Sequence, residues 1–284
     1  MNAVSIVIPA KNEAESLKDL LPELKSLYPE YEIIVVNDGS DDNTSEVCRV
    51  NKVNELKHVY SKGNGAAVKA GARQATGDVI VFMDGDGQHK PKDVKRLLNQ
   101  LSDGFDMVVG ARDDKSQASM GRLAANKLYN KLSSWMVGHK IQDLTSGMRA
   151  VRAEKFREFL YLLPNGFSYP TTSTMAFFRA GYSVGYAPIT ADKRVGSSHI
   201  NVLRDGVRFL LIIFKVGTLY SPLKLFFPIS MFVGLTGVGY YMFTFFTMGR
   251  FTNMSALLLT TSLIVFMMGL ISEQITALMY KNEK

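Results

Sequence analysis

Val79-Ile-Val-Phe-Met-Asp-Gly-Asp-Gly-Gln-His89 is the stretch that decides how the rest of the chain is read. Its first five residues, Val79 to Met83, have the length and composition of a short buried strand. That strand stops abruptly at Asp84-Gly85-Asp86-Gly87-Gln88-His89. In an open α/β sheet, ligands sit beyond the carboxyl ends of the strands, so these polar side chains stand where a ligand would be met. Two carboxylates one glycine apart suit a hard divalent cation, Mg²⁺ or Mn²⁺, which takes oxygen ligands and often shares them with a substrate diphosphate. The glycines leave room for a large ligand to approach the backbone. An ordinary acidic turn has the same composition, so the choice falls to the flanking sequence.

Strand and helix patterns alternate on both sides of this stretch. Val4–Ile8 is a β-branched strand closed by Pro9, and Ala14, Leu17, Leu20, Leu21 and Leu24 follow at helical spacing. Tyr31–Val36 is a second strand ending in Asn37-Asp38-Gly39-Ser40, and Asp41–Val50 reads as a helix. His58–Tyr60 is the expected third strand, followed by Lys62-Gly63-Asn64-Gly65 and a helix over 66–75. Beyond His89, Asp93–Leu101 reads as a helix, Met107–Gly110 as a strand leading into Arg112, and Gly121–Val137 as a long amphipathic helix. Gln142–Arg149 is polar and turn-like, Ser173–Ala180 helical, and Tyr182–Pro188 an outer strand before the basic loop Lys193–His199. Such alternation implies a mostly parallel sheet with helices on both faces, a nucleotide-binding α/β domain.

Charge is distributed unevenly over the 284 residues. Mean hydropathy is +0.03, yet after Lys224 the only charged residues are Arg250, Glu273, Lys281, Glu283 and Lys284. Leu225–Met248 and Phe251–Ser272 each exceed the roughly 20 residues that cross a bilayer as a helix. With only a short gap between them they form a transmembrane hairpin. Lys215 and Lys224 before it and Lys281 and Lys284 after it place both ends in the cytoplasm. Residues 201–223 mix apolar residues with Arg204, Arg208 and Lys215, as an interfacial helix does. The domains expected are therefore 1–200, a cytoplasmic catalytic domain; 201–223, the interfacial region; and 224–284, the hairpin with a short tail. The apolar run Ala3–Ala10 is too short for a signal peptide. The single cysteine, Cys48, excludes an internal disulfide and reads as a packed core thiol. A net charge of +7 suits phosphorylated substrates and anionic lipid. No basic run is interleaved with aromatics, so nucleic acid is not an expected partner.

Three acidic strand ends, Pro9-Ala10-Lys11-Asn12-Glu13, Asp38-Gly39-Ser40 and Asp84-Gly85-Asp86, should converge on one sheet edge and form a nucleotide-diphosphate site. Six segments resemble, in order, those of the family 2 glycosyltransferases of GT-A fold: 7–13 (VIPAKNE), 36–42 (VNDGSDD), 62–67 (KGNGAA), 83–89 (MDGDGQH), 110–112 (GAR) and 143–149 (DLTSGMR). More narrowly, they are similar to the polyprenyl-phosphate glycosyltransferases, the group that includes dolichol-phosphate mannose synthase and the bactoprenol glucosyltransferases. The resemblance implies that Pro9, Ala10, Glu13 and Asp38 hold the nucleoside, with Asn12, Gly39, Lys62 and Gly65 beside them. It implies Asp84 beside the ribose and diphosphate, Asp86 and Gln88 as metal ligands with Asp84 near enough to assist, and Arg112, Arg122 and Arg194 on the phosphates of donor or acceptor. Read from charge alone, Arg112 with Arg122 and Lys193 with Arg194 form two basic clusters that could position an acceptor phosphate. The partners the resemblance implies are a nucleotide sugar, a polyprenyl (undecaprenyl or dolichyl) phosphate and membrane lipids, with a homo-oligomer also allowed.

Lys11 and Asn37 depart from the family pattern beside the base pocket, where many relatives carry an aromatic residue and a second Asp. Asp38-Gly39-Ser40 points by analogy to a uridine nucleotide rather than GDP-mannose. Asp143 has three readings: a contact to a sugar hydroxyl, a base, or a salt bridge to Arg149, the last being favoured. His89 is read as a hydrogen-bonded polar group rather than part of the metal site, and Gly63 and Gly65 as a turn rather than a phosphate cradle. A processive family 2 enzyme would need more membrane helices. A non-catalytic nucleotide-sugar sensor would not need the Asp84/Asp86/Gln88 set, and a nucleotidyltransferase would carry a Gly-rich basic loop where Pro9–Glu13 stands.

Overall fold

A computed structural model of the chain describes residues 3–112, 120–166, 168–190, 214 and 217–281, with side chains described from 126 in the helix that begins at 120 and to 279 in the last helix. The chain divides into two compact units, Met1–Val202 and Leu203–Lys284. The first runs β1 (Val4–Ala10), α1 (Ala14–Leu27), β2 (Glu32–Asn37), α2 (Thr44–Val50), β3 (Asn54–Lys57), α3 (Asn64–Gln74) and β4 (Val79–Phe82). It continues with α4 (Asp93–Ser102), β5 (Met107–Arg112), α5 (Met120–Val137), β6 (Arg149–Arg152), α6 (Ala153–Arg157), α7 (Tyr169–Arg179) and β7 (Val184–Ile189).

The strands form one sheet in the order β3-β2-β1-β4-β6-β5-β7. All pairings are parallel except those of β6, which runs antiparallel between β4 and β5. Both faces of β1, β2, β4, β5 and β6 are buried. Ile6 and Ile8 of β1 join Val35, Val81, Val108 and Ala150 in a core with Leu17, Leu21 and Leu24 of α1 and Val94, Leu97 and Leu101 of α4. On the other face α3 lies so close that a Cβ on Gly71 would fall 2.3 Å from Cγ1 of Val7. Phe82 packs there at a tilt on Phe156 and edge-on against Tyr169. Cys48 is the core thiol expected, and burial pushes its pKa up to about 12.

Pro9 does not close β1 but lies within it, paired with Val36. The reason is one of sides. Ala10 accepts the amide of Asp38 on the β2 side, whereas Val7 accepts that of Met83 on the β4 side. Pro9, like Val7, therefore faces β4, whose pairing has already ended at Val7, and its missing N–H costs no ladder bond.

Two sequence expectations are corrected. The third strand is Asn54–Lys57, not His58–Tyr60. It is a mostly exposed edge strand, which needs no apolar run. The polar stretch to Arg149 does not end as a turn: Arg149 begins β6, a strand missed because it has four residues, two of them arginine.

In the second unit, α8 (Pro222–Met248) and α9 (Asn253–Lys281) are both long and apolar enough to cross a membrane. They are antiparallel: Phe227 packs on Phe266, and Ser262 Oγ donates to the Ser230 carbonyl at 2.7 Å. Small residues let the helices approach, since a Cβ on Gly234 would meet Ser262 Oγ at 2.7 Å and one on Gly237 would meet Leu258 Cβ at 3.0 Å. Glu273 is the acidic residue of α9, and its carboxylate accepts the Leu223 N–H at 3.2 Å, capping the open end of α8.

Candidate functional site

Strand order fixes where a ligand can sit. From β1 the chain moves outward to β2 and β3, then returns to place β4 on the opposite side of β1. The carboxyl ends of β1 and β4 therefore border a topological switch point, where open sheets bind their ligands. Because β6 is antiparallel to β4 and β5, its start, with the segment 143–148 before it, comes to that same edge as the end of β5. Glu13, Asp38, Asp84, Asp86, Arg112 and Asp143 all stand along one edge by topology.

The turn 84–89 lies against the end of β1. A Cβ on Gly85 would be 3.2 Å from the Pro9 carbonyl and 3.3 Å from Ala10 Cβ, and Ser16 of α1 donates its hydroxyl to the Gly85 carbonyl at 2.6 Å. Asp86 Oδ1 accepts the amide of Gln88 at 3.2 Å, which tightens the turn. The Asp84 carboxylate rests on the backbone of Gly147, where a Cβ would fall 2.1 Å from Oδ2. His89 is buried, its Nδ1 has no hydrogen-bond partner, and that atom lies 3.9 Å from Asp84 Oδ2. The unpartnered Nδ1 therefore faces the Asp84 carboxylate. Among the described residues no three His, Cys, Asp or Glu side chains group to hold a metal ion.

Arg112, at the end of β5, is gripped by the 143–147 loop. Asp143 accepts its Nε at 2.7 Å and its Nη2 at 3.0 Å, and Thr145 Oγ1 accepts Nη2 at 2.6 Å. Burial opposes both charges, but each partner outweighs it for the other, so the carboxylate is held below and the guanidinium above its ordinary pKa. Asp84 and Asp86 also add to the field that keeps Arg112 charged. The expected Asp143–Arg149 salt bridge is not made. Arg149 points to the other face of the sheet, fully buried, and donates to the carbonyls of Ser146 and Pro170 and to Ser173 Oγ at 2.7 Å. Tyr169 stacks beside it and donates its hydroxyl to the Gly147 carbonyl at 3.0 Å. Thr145, Gly147 and Tyr169 were absent from the residues marked by sequence. The first two lay inside a quoted motif, but Tyr169 gave no signal.

Asp38 is buried and takes four donors: Ser61 Oγ, the amides of Lys62 and Gly63, each at 2.8 Å, and His58 Nδ1 at 2.7 Å. Burial raises its pKa, but the donors outweigh that and bring it down to about 2. Its visible work is to fix the loop 58–63. Asn12, at φ +55, accepts the Asp41 amide through Oδ1 at 2.9 Å and donates its own amide to Ser40 Oγ, tying the β1 and β2 ends together. Gly65, in the first turn of α3 rather than in a loop, gives its N–H to the Gly166 carbonyl at 3.1 Å and is a packing residue, since a Cβ there would sit 2.0 Å from the Pro164 carbonyl. Asp38→Asn should destabilise the domain by roughly 3 kcal/mol, because buried donors lose their anion. A depressed carboxylate stabilises above its ordinary value and loses that contribution as pH falls through its folded value. The gap in unfolding midpoint between wild type and variant should therefore close between pH 3.8 and about 2. A gap constant over that range would show that the charge of Asp38 is not what holds the loop.

Arg122 belongs to α5 but its side chain lies outside the described residues, as do Lys193 and Arg194. The remaining expected residues are brought to the one edge.

Comparison with known proteins follows the same division. Residues 5–160 match the family model described as Glycosyl transferase family 2, and residues 221–278 match GtrB C-terminal hairpin. The undecaprenyl-phosphate 4-deoxy-4-formamido-L-arabinose transferase of Proteus mirabilis (strain HI4320) is 36% identical over 162 residues, 54% of this chain and 49% of its own. The chain thus spans about half the length of this curated relative. Glucosyl-3-phosphoglycerate synthase from Mycobacterium tuberculosis, solved with Mn²⁺, UDP and glucosyl-3-phosphoglycerate, superposes with a TM-score of 0.61 at 20% identity over 76% of this chain and 79% of that one. The same synthase with Mn²⁺, UDP and phosphoglyceric acid gives 0.62 at 20% identity over 76% and 78%. At such identity the likeness is one of fold, a GT-A sheet domain. The hairpin match agrees with two apolar helices that anchor the protein in a membrane.

Proposed function

This chain belongs to glycosyl transferase family 2, and from that premise we propose that it transfers one sugar from a nucleotide-diphosphate sugar, a UDP-sugar before GDP-mannose, to a polyprenyl phosphate at the cytoplasmic membrane face, inverting the anomeric centre. One observation carries the reading. The acidic pair Asp84 and Asp86 follows β4 in the field of Arg112, whose guanidinium Asp143 and Thr145 hold by three hydrogen bonds. A diphosphate leaving group calls for both elements, oxygens that share a cation with it and a fixed guanidinium. The P. mirabilis relative is named for an undecaprenyl-phosphate acceptor, and the M. tuberculosis synthase was solved with Mn²⁺ and UDP, which supports the same assignment.

The residues fit a divalent cation. Asp84 and Asp86 offer carboxylate oxygens and Gln88 an amide oxygen, all hard donors. Three such donors leave part of the coordination sphere for phosphate oxygens and water, as Mg²⁺ and Mn²⁺ prefer. When bound, the cation would offset the charge that builds on the departing diphosphate. The chain's own residues do the rest. Asp143, ionised against Arg112, orients the guanidinium before substrate arrives. The acceptor phosphate is already anionic at neutral pH and needs positioning rather than deprotonation, so no side chain has to serve as base. Arg122, Lys193 and Arg194 are assigned to the donor and acceptor phosphates, and Pro9, Ala10, Glu13 and the loop that Asp38 fixes to the nucleoside.

The test is a transfer assay with purified protein in detergent, Mg²⁺ or Mn²⁺, a short polyprenyl phosphate and a panel of radiolabelled UDP- and GDP-sugars. An acid-labile labelled lipid formed from one donor is the expected result. A donor consumed only with some other acceptor would overturn the lipid-phosphate assignment.

A further inference from the structure

Trp135 is the only tryptophan in the chain, and it stands on the outside of α5. That helix buries Tyr129, Ser133 and Met136 and anchors itself through Tyr129, whose hydroxyl donates to Thr171 at 3.0 Å. Its outer side leaves Leu128 64% and Trp135 51% exposed. Seven residues apart on a helix of 3.6 per turn, the two lie on one stripe, with Lys131 between them. Lys127 and Lys140 are exposed at its margins, and no acidic residue occurs from Met120 to Gln142.

A helix facing bulk water normally mixes charges of both signs on its exposed side. An indole and a leucine set among lysines, with no acid, is instead the composition that settles in a lipid headgroup layer. There the ring lies at the boundary and the ammonium groups meet phosphate. The apolar pair α8 and α9 keeps a bilayer near every copy of the chain, so even a weak surface affinity would be satisfied. A second copy is the poorer occupant, because a two-fold contact through this stripe would set Lys131 against its own equivalent. We propose that the α5 stripe, Leu128, Lys131 and Trp135 with Lys127 and Lys140 beside it, rests on an anionic lipid surface. The surface is independent of which sugar is transferred and of whether transfer occurs, so its test can fail while the functional reading stands.

The lone tryptophan makes the test direct. Full-length protein is placed in nanodiscs of zwitterionic lipid alone or with an anionic phospholipid, and Trp135 emission is read. In anionic discs the emission should shift to the blue, resist acrylamide, and be quenched by lipids carrying a bromine or nitroxide near the headgroup. Each lysine near an anionic surface is worth about a fivefold change in partition. Lys127→Gln with Lys131→Gln should therefore reduce the lipid-quenched fraction and raise acrylamide access toward the zwitterionic level. Trp135→Phe, by erasing the signal, verifies its source. Water-like, acrylamide-accessible emission in anionic discs would overturn the proposal. So would a blue shift without quenching by labelled lipid, which would mean that protein covers the stripe.

Discussion

Asp86→Ala should slow sugar transfer by at least about a thousandfold, some 4 kcal/mol of transition-state stabilisation, without unfolding the domain. The expected size follows from how few ligands there are. Asp84 and Asp86 are the two carboxylates of the site turn, and among the described residues no group of three His, Cys, Asp or Glu side chains forms a cation site. Removing one takes away half of the protein's anionic hold on the cation, at the moment when charge on the leaving diphosphate is greatest. Stability should change little, since Asp86 is only partly buried and ends a turn that Ser16 and the end of β1 hold independently. The measurement is the single-turnover rate at saturating donor across a Mn²⁺ titration, with a thermal melt as control. A variant whose melt is unchanged and whose rate is within tenfold of wild type would remove Asp86 from the metal site. Wild-type protein treated with chelator should show the same loss and regain its rate on adding Mn²⁺.

Much of this site could be read before any coordinates, for physical reasons that also explain what could not. Asp84, Asp86 and Asp38 were legible because each follows a run of β-branched and apolar residues, and a charge that ends such a run must lie at the sheet edge. The two membrane helices were legible from length and composition alone. What failed was pairing across the chain. Asp143 has arginines at 112 and 149, and sequence proximity favours the nearer. The sheet decides otherwise, because β6 turns Arg149 to the opposite face, where carbonyls and hydroxyls receive it. Register shows how complete that turn is: Phe82, Arg149, Val109 and Tyr186 stand side by side across four strands on one face. The four-residue strand that does this carries no hydrophobic run by which to be found. Asp38 shows a different limit. Its position at a strand end was correct, but that its oxygens are spent on His58, Ser61 and two amides depends on a loop whose path only three dimensions reveal.

The 143–147 loop holds both halves of the site, Arg112 through Asp143 and Thr145, and Asp84 through Gly147, and Tyr169 fixes it from behind. Gly147→Ala tests that arrangement with a single methyl group. Gly147 shows no left-handed φ, so alanine can adopt its backbone conformation. The added carbon, however, would lie 2.1 Å from Asp84 Oδ2 and 2.7 Å from its Cγ. What it strikes is the end of a side chain, so the protein can relieve the clash by rotating Asp84 away from Asp86 rather than by unfolding. Transfer should fall about a hundredfold, as expected when a reacting geometry is lost by an ångström, and the Mn²⁺ concentration needed for half-maximal rate should rise with it. The unfolding midpoint should move little. Gly65→Ala makes a clash of the same size, 2.0 Å, but against the Pro164 carbonyl, a backbone atom that cannot turn aside. That variant should instead lose several kcal/mol of stability and show a near-normal metal requirement in whatever fraction still folds. If Gly147→Ala behaved like Gly65→Ala, losing stability with its metal dependence intact, Gly147 would be a packing residue and the loop would not position Asp84.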